Sequence, residues 1–457
     1  MDQLMYASAT TLAKAIRTKE VSSKEVVDAY LQRIEAINPK LNAVVQLTAD
    51  TARAQARQAD AALARGDTTG PLHGVPMTIK DSLDTAGMIS TGGTKGRASF
   101  VPTEDATVVA RLRAAGAILL GKTNTPEFTL SFETSNLIYG RTSNPYDPSR
   151  TPGGSSGGAA AIVAAGGSPF DIGSDYGGSI RLPSHCCGIA GIKPTSGRVP
   201  RTGHIFPFGG ILDSFQQLGP MARSVDDLSL LLPLIAGPDW IDPAIVPMPL
   251  GKPDAVNLKR LRVAFHTDNG ILSPTQETTT VVRKAATILA EEGMRVEEAQ
   301  PNGIEQSYET GMALYFADGG ASVRRLLQEA GTTEHSFPWL SAAQPVTATQ
   351  LDALITKWYR VRSTMLSFLK NYDVILCPVN AFPAMPHGAE GEDLRAFSYT
   401  MTYNLTGWPG AVVRGGTSPD GLPIGVQIVA QPWREDVALA VAGYLEKALG
   451  GFQPPTI

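Results

Sequence analysis

Short apolar runs that read as strands alternate with runs that read as helices, and this alternation restricts the possible folds of the chain more than any other feature. Val75-Pro76-Met77-Thr78-Ile79-Lys80 has the character of a buried strand end, which puts Lys80 where the strand gives out. A helix is expected over Asp105 to Ala115, a strand over Ala117 to Gly121, an alanine-rich helix after Gly158 and a short strand into Ile172. Strands alternating with helices argue for an α/β fold. Further strands are expected at Leu261 to Phe265, Val374 to Cys377 and Ile424 to Val429, with a helix around Val281 to Glu292 and a mostly helical stretch over 301–370.

The first sixty-odd residues read as helices. Ser22, Lys24 and Glu25 offer a capping box ahead of Val26, Val27, Tyr30, Leu31, Ile34 and Ile37 at helical spacing, and Asn38-Pro39 is expected to end that helix. A second helix is expected from Ala49 to Arg65, stopping at Gly66. Prolines 238, 243, 247, 249 and 253 mark a surface crossing between two halves of one fold, or a domain boundary. The later strands look like members of one sheet, so a single domain over 1–457 is expected, with N-terminal helices (1–65), a chemical core (66–230) and a helical substrate-side region (301–370).

Composition narrows the function classes. With 43% hydrophobic and 18% charged residues the chain can build a large core, which excludes disorder. A formal charge of -4 leaves no basic field for nucleic acid or an anionic membrane. Cys186, Cys187 and Cys377 cannot make a disulfide scaffold, and an odd count suits a reducing compartment. The start, Met-Asp-Gln-Leu-Met-Tyr, lacks the basic and apolar regions of a signal peptide, and the apolar stretch Leu228 to Gly237 is about half the length of a membrane span. A cytoplasmic protein is expected, without membrane or nucleic-acid partners. No function for Cys186 and Cys187 emerges.

Two loops concentrate glycine and serine. Pro152-Gly153-Gly154-Ser155-Ser156-Gly157-Gly158 has a very permissive backbone leading into a helix. It suits a hydroxyl presented at a strained angle, a flexible turn or a phosphate cradle, although no Gly-Lys-Ser/Thr follows as a P-loop requires. A nucleotide- or anion-binding module without hydrolytic chemistry therefore stays open as a reading of these loops alone. In Gly173-Ser174-Asp175-Tyr176-Gly177-Gly178-Ser179-Ile180-Arg181 a glycine pair again precedes a serine, after a strand. Successive amides there can point into one concavity, as an oxyanion hole needs, which makes Ser179 a candidate nucleophile; a helix N-cap is the plainer reading. Asp175 and Arg181 bracket the loop and could pair to hold it.

A serine nucleophile needs a base. His73, His185, His204, His266, His335 and His387 show no triad context, with His73 and His185 possible by position alone. The alternative is a lysine kept neutral by burial that relays a proton through a second hydroxyl, and Lys80 is the best placed, unless its head simply lies in water. An unperturbed lysine at pKa about 10.4 is neutral in roughly one molecule in a thousand or fewer at pH 7, so such a role requires a shift of about three units, or roughly 4 kcal/mol.

Lys80, Gly153-Gly154-Ser155-Ser156-Gly157-Gly158 and Gly177-Gly178-Ser179 together resemble, in order and spacing, the amidase signature family, which includes fatty acid amide hydrolases and the A subunits of tRNA-dependent amidotransferases. His73-Gly74-Val75-Pro76, Gly121-Lys122-Thr123-Asn124, Ser143-Asn144-Pro145, Gly191-Ile192-Lys193-Pro194-Thr195 and the region Asn404 to Val429 also look like family segments, so the resemblance covers most of the chain outside about 240–370. It implies an α/β amidase signature fold, a central mixed twisted β-sheet covered by helices on both faces. It also implies a triad of Lys80, a cis serine at Ser155 and nucleophilic Ser179, leaving Ser156 to support the turn. The backbone amides of Tyr176, Gly177, Gly178 and Ser179 would form the oxyanion hole. Tyr176 stands where a small or β-branched residue is expected, and it would narrow the pocket.

No metal or cofactor is implied. The expected activity is hydrolysis of small to medium amides, anilides, esters or carbamates, with urethane cleavage a special case and a glutaminase-type amidotransferase subunit the alternative. The alternative would need partner subunits and a site for the two charged groups of an amino acid. Arg360 and Arg362 lie near the expected region for that site, in a context unlike the subclass. The hydrophobic anchor of the membrane-bound fatty-amide members is not found at the start of the sequence. The glycine-hinged stretch Arg198 to Leu212, with His204, Ile205, Phe206, Phe208 and Ile211, reads as an apolar loop near the nucleophile or as core packing. Ser131, Phe206 and Phe208 are the expected pocket residues, in a monomer or homodimer.

Overall fold

The computed structural model describes residues 2–457. Eight strands form a mixed sheet in the spatial order Arg295–Glu298, Arg262–Phe265, Val374–Pro378, Pro423–Ala430, Gly410–Thr417, Ala190–Lys193, Gln217–Ala222 and Phe170–Asp175. The first three run parallel to one another, and every later neighbour pairs antiparallel. Strands from both sides of the proline-rich stretch 238–253 therefore lie in one sheet. Their fully buried Val, Ile and Leu positions explain why they read as continuous apolar runs rather than as alternations. Helices cover both faces, among them Gly157–Ala164, Arg181–Cys186, Val225–Ile235, Gln276–Glu291 and Glu435–Ala448.

The strand that carries the lysine stands apart from this sheet. Pro76–Lys80 pairs parallel with Ile118–Thr123, which pairs antiparallel with Val44–Leu47. This small sheet abuts the Phe170–Asp175 strand, where the Thr78 hydroxyl donates to Asp171 over 2.6 Å and the Thr78 N–H to Ser168 Oγ over 3.1 Å. The contact brings the end of one strand, Lys80, beside the end of another, Asp175, and the site forms there.

One expected boundary is corrected. The capping box at Ser22 and Glu25 is present, but the helix runs Ser23–Leu41, through Pro39, and stops at Asn42 in a left-handed conformation. A proline in the last turn forfeits only one ladder bond. The Asn38 carboxamide completes the exit by accepting the N–H groups of Ala43 and Val44, each over 2.8 Å.

Candidate active site

Lys80 ends the Pro76–Lys80 strand with no exposed surface, because both faces of that strand are covered. Its Nζ lies 2.6 Å from Ser155 Oγ, 2.9 Å from Ser156 Oγ and 2.9 Å from Ser174 Oγ. Burial pushes the lysine well below its ordinary value, against the opposing pull of Asp171 and Asp175. Ser156, expected only to support the turn, also touches the lysine and donates to the Ser174 carbonyl over 3.3 Å. Ser174 carries no catalytic signal of its own in the sequence, although it follows the apolar strand residue Ile172 by one pleat period.

The Gly154–Ser155 peptide is cis. Glycine at 154 meets a close approach, since a Cβ there would sit 2.6 Å from the Phe132 carbonyl carbon and 2.7 Å from the Glu133 nitrogen. The loop is thereby pressed against segment 131–133, of which Ser131 and Phe132 line the cavity described below.

Ser179 lies between the Phe170–Asp175 strand and the Arg181–Cys186 helix, whose N-cap is Ile180, so the serine is not spent as a cap. Asp175 organises this loop, accepting the N–H of Gly178 over 2.9 Å and of Ile180 over 3.1 Å. Its partner is Arg181, also without exposed surface, which donates Nε and Nη2 to the two carboxylate oxygens and its remaining N–H groups to Thr400 O, Gln427 Oε1 and Asn404 Oδ1. Burial alone would raise the Asp175 carboxyl, but the Arg181 charge and hydrogen bonds outweigh it and hold the group at about 2. The expected pairing of Asp175 with Arg181 is present.

This clamp corrects the expected oxyanion hole. The Gly178 amide is committed to Asp175, which leaves the amides of Tyr176, Gly177 and Ser179 without a protein acceptor among the described residues. Gly178 takes φ +138°, and a Cβ would lie 2.3 Å from Thr400 Oγ1, so the turn itself requires glycine. Thr400 and Tyr315 fix the other side by donating to the carbonyls of Gly177 and Tyr176.

The two histidines that position alone left possible as bases, His73 and His185, are occupied elsewhere. His73 bonds Thr69 and the Ala59 carbonyl, and His185 accepts from Gly425 N–H and donates to the Phe382 carbonyl. Burial pushes His185 down to about 4 and His204 to about 3. The three cysteines are buried and free, and burial pushes the Cys186 and Cys377 thiols up to about 12. Among the described residues no three His, Cys, Asp or Glu side chains converge as a metal site requires, and no helix is long and apolar enough to cross a membrane.

Of Lys80, Ser155 and Ser179, only Ser179 lines a cavity of about 310 Å³. Its walls include Ser131, Phe132, Tyr176, Phe206, Leu212, Met312 and Tyr315. The Tyr176 ring lies 5.5 Å from Phe206 and 5.0 Å from Tyr315, which makes one wall aromatic. Ser131 and Phe206 both line this cavity. Phe208 is corrected: it lies outside the lining and is 37% exposed, because Gly209 and Gly210 turn the chain at positive φ and Asp213 ties down the Gly209 N–H. Neither Arg360 nor Arg362 lines the cavity; Arg362 stacks over Trp358 and Tyr359, and Arg360 is exposed. Truncating Phe206 to Ala is expected to change the ratio of kcat/KM for aryl and short alkyl substrates by about 10- to 200-fold. Phe208→Ala should move that ratio by about twofold or less, as surface substitutions do. Equal effects of the two changes would contradict the placement.

The Amidase family model matches residues 25–439, and the chain belongs to this family. The A subunit of glutamyl-tRNA(Gln) amidotransferase from a Roseiflexus strain is 36% identical, over 94% of this chain and 93% of its own. An acylamidase of Rhodococcus erythropolis is 35% identical, over 97% and 95%. Among solved structures, 6-aminohexanoate cyclic dimer hydrolase complexed with substrate superposes with a TM-score of 0.88 at 29% identity, over 99% of both chains. The protein is an amidohydrolase with the fold of this family.

Proposed function

We propose that the enzyme hydrolyses small to medium amides, anilides, esters or carbamates with apolar substituents, urethanes included, through an acyl-enzyme on Ser179. Lys80 serves as base through Ser155. Neutral Lys80 has two N–H bonds and one lone pair. Ser156 already donates to the Ser174 carbonyl, so its oxygen accepts one lysine N–H, and Ser174 Oγ takes the other. The lone pair then faces the Ser155 hydroxyl, which can pass its proton to Nζ while taking the proton of Ser179. Attack by Ser179 Oγ places the oxyanion among the free amides of the 176–179 loop, and the returning proton leaves with the amine or alcohol. Water then repeats the route and releases the acid.

The observation that carries the substrate class is the cavity: Ser179 opens into a largely apolar lining that contains no Lys, Arg or His. Glutamine hydrolysis is the second reading, favoured by the likeness to amidotransferase A subunits. Against it, the carboxylate of a glutamine in this cavity would meet no cationic side chain. Lysine, relay, nucleophile and cavity all come from one chain, which supports action without partner subunits. Incubating the pure protein with chromogenic anilides, esters and carbamates, and with glutamine, tests the proposal. Turnover of the first three without any partner is expected; turnover of glutamine alone, dependent on added amidotransferase subunits, would overturn it.

A further inference from the structure

Each free amide of the 176–179 loop has its direction set from behind. The peptides of this loop are trans, so the C=O and N–H of each point in opposite directions, and whatever holds the carbonyl of one residue aims the amide of the next. The Asp175 carbonyl, behind the Tyr176 amide, accepts from the Asn404 carboxamide over 3.3 Å. The Gly178 carbonyl, behind the Ser179 amide, accepts the Leu182 N–H over 2.7 Å. The Gly177–Gly178 peptide is held at both ends, by Thr400 Oγ1 over 2.8 Å and by the Asp175 carboxylate over 2.9 Å. The Tyr176–Gly177 peptide is not. Its carbonyl accepts the Tyr315 hydroxyl, and among the described residues no other hydrogen bond reaches it.

Glycine at 177 leaves that peptide free to rotate, because no Cβ restricts it, and the bond from Tyr315 is what opposes the rotation. A donor on the carbonyl also polarises the peptide and strengthens the N–H on its far side. Tyr315 ends the helix Ser307–Tyr315, far from the glycine loops in sequence, and of the side chains that hold these carbonyls it alone lines the cavity. Its ring packs at a steep angle against Tyr176 and Phe215, with centroids 5.0 and 5.5 Å away, which fixes where the hydroxyl sits. We propose that Tyr315 is a positioning residue for the oxyanion hole, its hydroxyl aiming the Gly177 N–H at the oxyanion that attack by Ser179 creates. This rests on the reading that the acyl-enzyme forms on Ser179. Burial pushes the Tyr315 phenol up, so it stays protonated as the donor.

Tyr315→Phe removes the hydroxyl and keeps the ring. For one neutral anilide, kcat should fall about 10- to 100-fold with KM within about twofold, a smaller loss than the roughly 100- to 1,000-fold from deleting an oxyanion donor outright. A trifluoromethyl ketone, whose carbonyl carbon bonds to Ser179 Oγ to give a tetrahedral oxyanion, is compared with its carbinol, which cannot form one. In Tyr315→Phe the ketone should lose affinity by the same factor as kcat and the carbinol by about twofold or less, a split that lost packing or stability would not produce. A fluorophosphonate taken to completion counts competent Ser179 sites, so a variant that folds only in part is still compared per site. A kcat per site within about twofold of wild type, a rise in KM with kcat unchanged, or equal losses for ketone and carbinol would overturn the inference while leaving the acyl-enzyme intact. Absence of a fluorophosphonate adduct on Ser179 in the wild type would instead overturn the acyl-enzyme reading, and the inference with it.

Discussion

Ser179→Ala should fold normally and show no measurable turnover of any amide, ester or carbamate, a loss on the order of a millionfold in kcat for removal of a serine nucleophile. A fluorophosphonate probe that forms one adduct with the wild type should form none with this variant. The expectation follows from placement: Ser179 alone of the three proposed residues faces the cavity, and its loop holds amides with no protein acceptor. Ser155→Ala should be slower by about 100- to 10,000-fold, the usual contribution of a positioned proton relay. Mapping of the wild-type adduct to Ser156 would contradict the assignment, because Ser156 Oγ is already engaged by Lys80 and the Ser174 carbonyl.

Arg181→Met should be the most destabilising single change near the site. The Asp175–Arg181 pair has no exposed surface on either side chain, so removing the guanidinium leaves a buried carboxylate and the polar groups of Thr400, Asn404 and Gln427 short of donors. Breaking a buried pair in this way costs about 3–5 kcal/mol, to be read from the denaturant midpoint. Arg283→Met, which breaks an ion pair about half exposed on both sides, should cost about 1 kcal/mol or less. The sign with pH is also fixed. The folded Asp175 titrates at about 2, below its ordinary 3.8, so its stabilisation is present above the ordinary value and is lost as pH falls through about 2. Arg181→Met should lack that acid-range dependence. Unfolding midpoints that agree between Arg181→Met and Arg283→Met would contradict the clamp.

The sequence shows the α/β class because its strands are buried on both faces and read as apolar runs between helical periods, as at Ile118–Thr123 and Pro423–Ala430. It does not show that the lysine strand lies in a separate three-stranded sheet, since partner choice between strands depends on packing and not on local pattern. Lys80, Ser155 and Ser179 can be picked out through their glycine loops and their order along the chain. Ser174, Thr400 and Asn404 cannot: their roles arise from contacts between distant segments, and single hydroxyl or amide side chains carry no periodic signal. The four amides expected for the oxyanion hole illustrate the same limit, since only the folded loop shows that Gly178 donates to Asp175. Phe208 failed for a local reason, the paired glycines that follow it and turn the chain outward.

The central claim, that a buried neutral lysine and not a histidine activates Ser179, is tested most directly by the pH profile of kcat/KM for one neutral anilide in the wild type, Lys80→Met, His73→Ala and His185→Ala. The proton must be off Nζ for the relay to run, so activity should be lost in acid and rise with pH through a midpoint well below 10.5. That limb should persist in both histidine variants and vanish, with most of the activity, in Lys80→Met. A limb near the ordinary histidine value of about 6.5 that survives in Lys80→Met and disappears in either histidine variant would contradict the account.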